Sequence, residues 1–175
     1  MWLWKHILIF FLIYQSDFNI QKILLMPDEM LEKKASDPSI IRNFNKVKTV
    51  RENALMIDAV NREQSGFVQF VADWPTEDII GLWAYLKKHG ARLGGNTGPY
   101  ALRQMGVDTF ILSGDVEAYL RSYKIIEGGR DTKRSLQAAS SAFAKWQQES
   151  GRSLTEISQT IAFSGGDNRV QSPIE

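Results

Sequence analysis

The chain contains no cysteine. That single absence excludes disulfide staples, thiolate-held iron–sulfur clusters and thiolate zinc sites. Histidine is almost as scarce: His6 and His89 stand far apart, so a histidine-rich metal site is not expected, and neither is a cofactor. An excess of one charge is missing too. With 21 basic and 20 acidic residues the formal net charge is +1, which excludes a strongly basic DNA-coating protein. Any nucleic-acid binding must then come from a local patch. Strand signals are poor, with no Asn-Gly or Asp-Gly hairpin turn and no sustained alternation. Long apolar runs are also lacking. The run at residues 7–14, ILIFFLIY, follows Lys5-His6 and is shorter than the roughly 20 residues a spanning helix needs. No small-residue cleavage site follows it, only Gln15-Ser16-Asp17-Phe18. Residues 1–14 therefore read as a buried first helix or a disturbed start to the frame in preference to a secretory or anchoring segment. A soluble, cytoplasmic monomer is expected.

What is present is helix. The 175 residues, 43% of them hydrophobic, suffice for one domain with a sizeable core. No linker or low-complexity tract interrupts residues 17–163. The expected organisation is an apolar segment of uncertain status at 1–16, one folded domain at 17–163 and a flexible tail at 164–175. Pro27-Asp28-Glu29 opens a short helix with acids in its first turn. After Asp37-Pro38, the residues Ile40, Phe44, Val47, Val50, Ala54 and Ile57 recur every three or four positions as one buried stripe. Ser65 is the expected cap of a short helix ending near Trp74-Pro75, and Thr76 that of a helix over 77–89 stopped by Gly90. Further helices are expected over 99–105 and 115–123. Thr132 would cap a long helix carrying Leu136, Ala139, Phe143 and Trp146 and closed by Gly151. Ser153-Leu154-Thr155-Glu156 reads as a capping box. The fold class is all-α, an orthogonal helical bundle.

Between two of these helices lies the stretch with chemistry in it: Lys87-Lys88-His89-Gly90-Ala91-Arg92-Leu93-Gly94-Gly95-Asn96-Thr97-Gly98-Pro99-Tyr100-Ala101. Glycines let backbone N–H groups approach a ligand without side-chain clash, and the free amides at a helix N-terminus favour an anion such as phosphate. Gly94, Gly95, Asn96, Thr97 and Gly98 would form that nest, with Lys87, Lys88 and Arg92 adding charge beside it. An ordinary turn with a glycine C-cap is the competing reading. No Gly-Lys-Ser/Thr follows, so this is not a Walker loop, and no strand precedes it as a dinucleotide fold requires.

Leu93-Gly94-Gly95-Asn96-Thr97-Gly98-Pro99-Tyr100-Ala101 followed by Leu112-Ser113-Gly114-Asp115-Val116 resembles the helix–hairpin–helix DNA glycosylases. Their hairpin reads roughly Leu-Pro-Gly-Val-Gly-x-x-Thr-Ala, and an essential Asp opens the next helix. Leu93, Gly95 and Ala101 match, Thr97 replaces the second glycine, and Asp115 stands where the catalytic carboxylate would be. The closer resemblance is to bacterial proteins described as 3-methyladenine DNA glycosylase I. It rests on Ile40-Ile41-Arg42-Asn43-Phe44-Asn45-Lys46-Val47, on Leu86-Lys87-Lys88-His89-Gly90, on the run Gly95 to Gly106, and on Asp108 through Asp115, and spans roughly residues 17–163. What this resemblance implies is a helix–hairpin–helix fold and excision of alkylated purines from damaged double-stranded DNA. The founding branch of that family binds zinc through Cys and His, a donor set this cysteine-free chain does not carry. The family also places a portion with an acidic pocket residue ahead of the segment that Trp4-Lys5-His6-Ile7 resembles, so a truncated or mis-started member is one expectation.

A base inside a duplex is unreachable, so such an enzyme flips the damaged nucleotide into a pocket. Asp115 is the expected catalytic carboxylate, with helix capping as its alternative role. Trp83 and Tyr100 are the candidates for stacking on the flipped base, with a place in the core as their alternative. Asp108 would cap or close a turn, and Arg103 and Gln104 could reach phosphate or lie on a solvated face. Strand-cleaving relatives carry a Schiff-base Lys two residues before the hairpin's final Ala; that position is Pro99 here, which implies base removal alone. Two other classes compete with the enzyme: a non-catalytic DNA-binding protein that keeps the hairpin, and an interaction or membrane-associated protein driven by residues 1–14.

Overall fold

The computed structural model describes residues 19–36 and 44–165. Expectations for residues 1–16, for Ile40 and its neighbours, and for the tail past Gly165 lie outside the described residues. Among the described residues every regular element is helical, so the fold is all-α. None of these helices is long and apolar enough to cross a membrane. The described chain divides into two compact units: residues up to Asp73 together with His89–Arg92, and Trp74–Lys88 together with residues 93–165.

The first unit holds α1 (Ile20–Leu24), α2 (Asp28–Ala35), α3 (Phe44–Glu63) and α4 (Phe67–Ala72). Asn19 caps α1 by accepting from the Lys22 amide at 3.1 Å. The expected stripe on α3 is the core: Val47, Val50 and Ala54 are buried with Ile23 of α1 and Leu31 of α2. Each buried Val, Leu or Ile among them contributes about 1.5–3 kcal/mol by leaving water. Charges next to this core are partnered, as burial demands. Arg51 reaches Asp28 and the Met26 carbonyl, while buried Asp58 accepts from Gln21 at 2.9 Å and pairs with Arg62 at 2.6 Å. The start of α4 differs from expectation. Ser65 does not cap it; Gly66 takes the N-cap position at φ 112°, and Asn61 accepts from the Phe67 amide at 2.7 Å. The left-handed glycine turns the chain so that an amide side chain six residues back covers the first N–H.

The second unit holds a 3₁₀ turn (Thr76–Asp78), then α5 (Ile79–His89), α6 (Thr97–Gln104), α7 (Gly114–Ser122), α8 (Lys133–Ser150) and α9 (Leu154–Ser164). Asp78, not Thr76, supplies the cap for α5: its carboxylate accepts from the Gly81 amide at 3.1 Å, whereas the Thr76 hydroxyl turns to Glu77. Helix α6 begins two residues ahead of the expected Pro99. Proline fits the first turn because no intrahelical bond is lost there. Thr132, Gly151 at φ 68° and the Ser153–Glu156 capping box act as the sequence predicts. The core of this unit is aromatic. Phe110 and Phe143, both 0% exposed, stack at 4.2 Å between centroids; Trp83 meets Phe110 edge-on at 4.8 Å and Trp146 meets Phe143 at 5.3 Å. Helix α9 packs on α7 and α8. Asp108 fixes its start by accepting from the Leu154 and Thr155 amides at 2.9 and 2.8 Å.

Candidate nucleic-acid interface and carboxylate

In the second unit the glycine-rich turn, residues 93–98, leads into α6. The Thr97 amide closes the turn on the Gly94 carbonyl at 3.3 Å, and the Tyr100 amide donates to the Asn96 carbonyl at 3.0 Å. The amides of Gly95 and Asn96 have no acceptor among the described residues. Gly95 is exposed and left-handed at φ 59°, with nothing within 4 Å of where a Cβ would sit. Gly98 has no such room: a Cβ there would lie 2.6 Å from the Leu93 carbonyl oxygen. A Cβ on Gly94 would lie 3.3 Å from Cγ of Lys87, so the lysine stem runs against the turn. Lys87 and Lys88 are exposed.

Two alanine substitutions separate these glycine roles. Gly98→Ala forces backbone apart and is expected to destabilise by about 1–3 kcal/mol. Gly95→Ala meets open space and costs only the left-handed conformation, about 1 kcal/mol. Urea unfolding with equal m-values reads both, and a larger loss for Gly95→Ala would refute this geometry.

In the first unit, Asn53 of α3 holds Ala91. It accepts from the Ala91 amide at 2.7 Å and donates to the Ala91 carbonyl at 3.2 Å. The exposed Arg92 that follows is left-handed at φ 58°, a conformation that costs a residue with a Cβ more than glycine. Arg92 thus falls in a different unit from Lys87 and Lys88.

Asp115 lies in the first turn of α7, half-buried. The cap of that helix is Ser113, whose hydroxyl accepts from the Val116 amide at 3.3 Å. Among the described residues the Asp115 carboxylate has no hydrogen-bond or ion-pair partner. Capping is therefore done two residues earlier than the sequence suggests, and this carboxylate is left over from it. Its main-chain surroundings are tied to the turn: the Asn96 side chain, which makes no cap bond for α6, donates to the Leu112 carbonyl at 2.7 Å. Arg130 donates to the same carbonyl at 3.3 Å and reaches Glu117 at 3.4 Å.

The remaining sequence candidates sort by burial. Trp83 is 8% exposed, and its indole N–H donates to the Thr109 hydroxyl at 3.1 Å, which is the placement of a core residue. Tyr100 is half-buried on α6. Arg103 does not lie on a solvated face: it donates to the Thr109 carbonyl and the Ser158 hydroxyl, each at 2.7 Å. Burial lowers its basicity, against the opposing pull of Tyr100 and Asp108. Gln104 is exposed. Ser113 and Arg130 are the participants that sequence reading missed. The Ser113-Gly114-Asp115 order carried a signal for the serine cap; nothing in the sequence marks Arg130. Among the described residues no three His, Cys, Asp or Glu side chains converge to hold a metal ion.

The methyladenine glycosylase family model matches residues 9–92. No curated protein and no solved structure matches the chain. The matched range takes in Asn53 and ends at Arg92, so the glycines of the turn and Asp115 lie beyond it. Over residues 9–92, just under half of its length, the chain is similar to the methyladenine glycosylase family.

Proposed function

We propose that the protein is a monofunctional DNA glycosylase that removes alkylated purines such as 3-methyladenine from double-stranded DNA by base flipping. The observation that carries this reading is the unpartnered Asp115 carboxylate at the head of α7, joined through Asn96 and Leu112 to a turn with free amides. The family match over residues 9–92 supports the reaction class. Backbone amides of Gly95 and Asn96 take a phosphate oxygen, and Lys87 and Lys88 add the charge that makes binding salt-dependent. Of the two aromatic candidates, Tyr100 keeps part of its surface outside the core and is the better stacking partner for a flipped base. A cytoplasmic protein with access to the chromosome fits this role.

The chemistry asked of the protein is modest. Methylation leaves positive charge on the purine ring. As the bond from the base to C1′ breaks, its electron pair neutralises that charge and the base departs as a neutral molecule. The sugar passes through an oxocarbenium-like state, by analogy with other glycosidic cleavages. Asp115 stabilises the developing cation and receives the proton of the water that adds to C1′. The strand stays intact because Pro99 offers no amine for a Schiff base.

The test is release of methylated bases from alkylated duplex DNA, followed by chromatography. Free 3-methyladenine with no borohydride-trapped protein–DNA adduct is the expected result. A second reading, DNA binding without catalysis, is favoured by the family match ending before Asp115. Salt-dependent duplex binding with no base release would select it.

A further inference from the structure

We infer that Asn96 and Arg130 are positioning residues, a two-donor clamp on the Leu112 carbonyl that holds Asp115 in register with a strand bound at the turn. This rests on the glycosylase reading and goes beyond it by assigning residues away from the reacting atoms. Asn96 occupies two places at once. Its main chain belongs to the turn, where its own amide has no acceptor among the described residues and its carbonyl takes the Tyr100 amide at 3.0 Å. Its side chain has left the usual N-cap role and donates instead to Leu112 at 2.7 Å. Leu112 is 2% exposed and immediately precedes the Ser113 cap, so its carbonyl fixes where the first turn of α7 begins.

The second donor approaches from the other side of the chain. Arg130 reaches Leu112 at 3.3 Å, and Glu117, two residues past Asp115, at 3.4 Å. Glu117 is also held by Arg121 at 2.7 Å, and Arg121 donates to the Gly128 carbonyl at 2.6 Å. The segment carrying Asp115 is therefore fixed before it, by Asn96 and Arg130, and after it, by Glu117. A buried carbonyl with two acceptor directions uses both here, and deleting a donor leaves it under-satisfied. The consequence for function is geometric. A misplacement of about 1 Å in a reacting group costs about 100-fold in rate, while binding of the strand by neighbouring amides and lysines hardly changes.

Single-turnover release of 3-methyladenine from alkylated duplex, with duplex affinity measured alongside, tests the clamp. Asn96→Ala is expected to lower the single-turnover rate about 10- to 100-fold with affinity within about threefold of wild type. Arg130→Gln is expected to act in the same direction and Arg130→Lys to recover part of the loss. Because the clamp acts through Asp115, Asn96→Ala is expected to cost little further rate in an Asp115→Asn background, a non-additivity that a general loss of stability does not produce. Wild-type turnover in Asn96→Ala, a loss confined to affinity, or an equal loss in the Asp115→Asn background each overturns the inference alone. A wild-type protein that releases no base overturns the glycosylase reading, and the clamp falls with it.

Discussion

Asp115→Asn is expected to lower the rate of 3-methyladenine release about 100- to 10,000-fold while the protein stays folded and bound to duplex. The substitution is nearly isosteric and removes only the charge and the proton-accepting oxygen. Its structural cost is small. The capping bond of α7 comes from Ser113, and the carboxylate has no partner among the described residues that would be orphaned. What is lost from the fold is the favourable placement of an anion in the first helical turn, about 0.3–1 kcal/mol. On the proposed mechanism the loss in rate follows from the transition state, where the cationic sugar loses the negative group proposed to stabilise it and water loses its proposed base. Chromatography of released bases gives the rate, circular dichroism the fold and gel shift the affinity. Equal release by both proteins would remove Asp115 from the mechanism. A variant that unfolds would show that the carboxylate serves structure after all.

The reading of helices from the sequence succeeded where a local signal decides the outcome. The Thr132 and Ser153 caps, the left-handed glycine after α8 and the apolar stripe on α3 are properties of a few neighbouring residues. It slipped where distant residues compete for the same role. Asn61 displaces Ser65 at the start of α4, and Asp78 displaces Thr76 at α5, because the backbone turn delivers a different oxygen to the first amide. The same limit applies to the candidate site. The glycine turn and Asp115 are legible as residue types in order. That Asn96 turns its side chain towards Leu112, and that Arg130 arrives at the same carbonyl from 18 residues away, are facts of tertiary placement. Trp83 and Arg103 show the converse: residue types suited to bases and phosphates are consumed by the core, where the indole N–H and the guanidinium satisfy Thr109.

Phe143→Ala is expected to remove about 3–5 kcal/mol of stability, a large share of the 5–15 kcal/mol that holds a typical domain together. The ring is 0% exposed, stacks on Phe110 with planes 8° apart, and receives the edge of Trp146. Removing it leaves a cavity bordered by two other large rings that cannot collapse inward without tilting out of their own contacts. Trp83 is held by its bond to Thr109 and its edge contact with Phe110, so relaxation on that side is blocked too. Alanine is the better helix former, which returns a few tenths of a kcal/mol in α8 and does not change the outcome. Tyr123, at the outer end of the same aromatic series and 65% exposed, provides the contrast. Tyr123→Ala is expected to fall within about 0.5 kcal/mol of wild type. Urea midpoints of the two variants decide the matter. A Phe143 variant as stable as the Tyr123 variant would mean that the stacked pair is not the centre of this unit. The platform on which the turn and Asp115 rest would then have to be sought elsewhere.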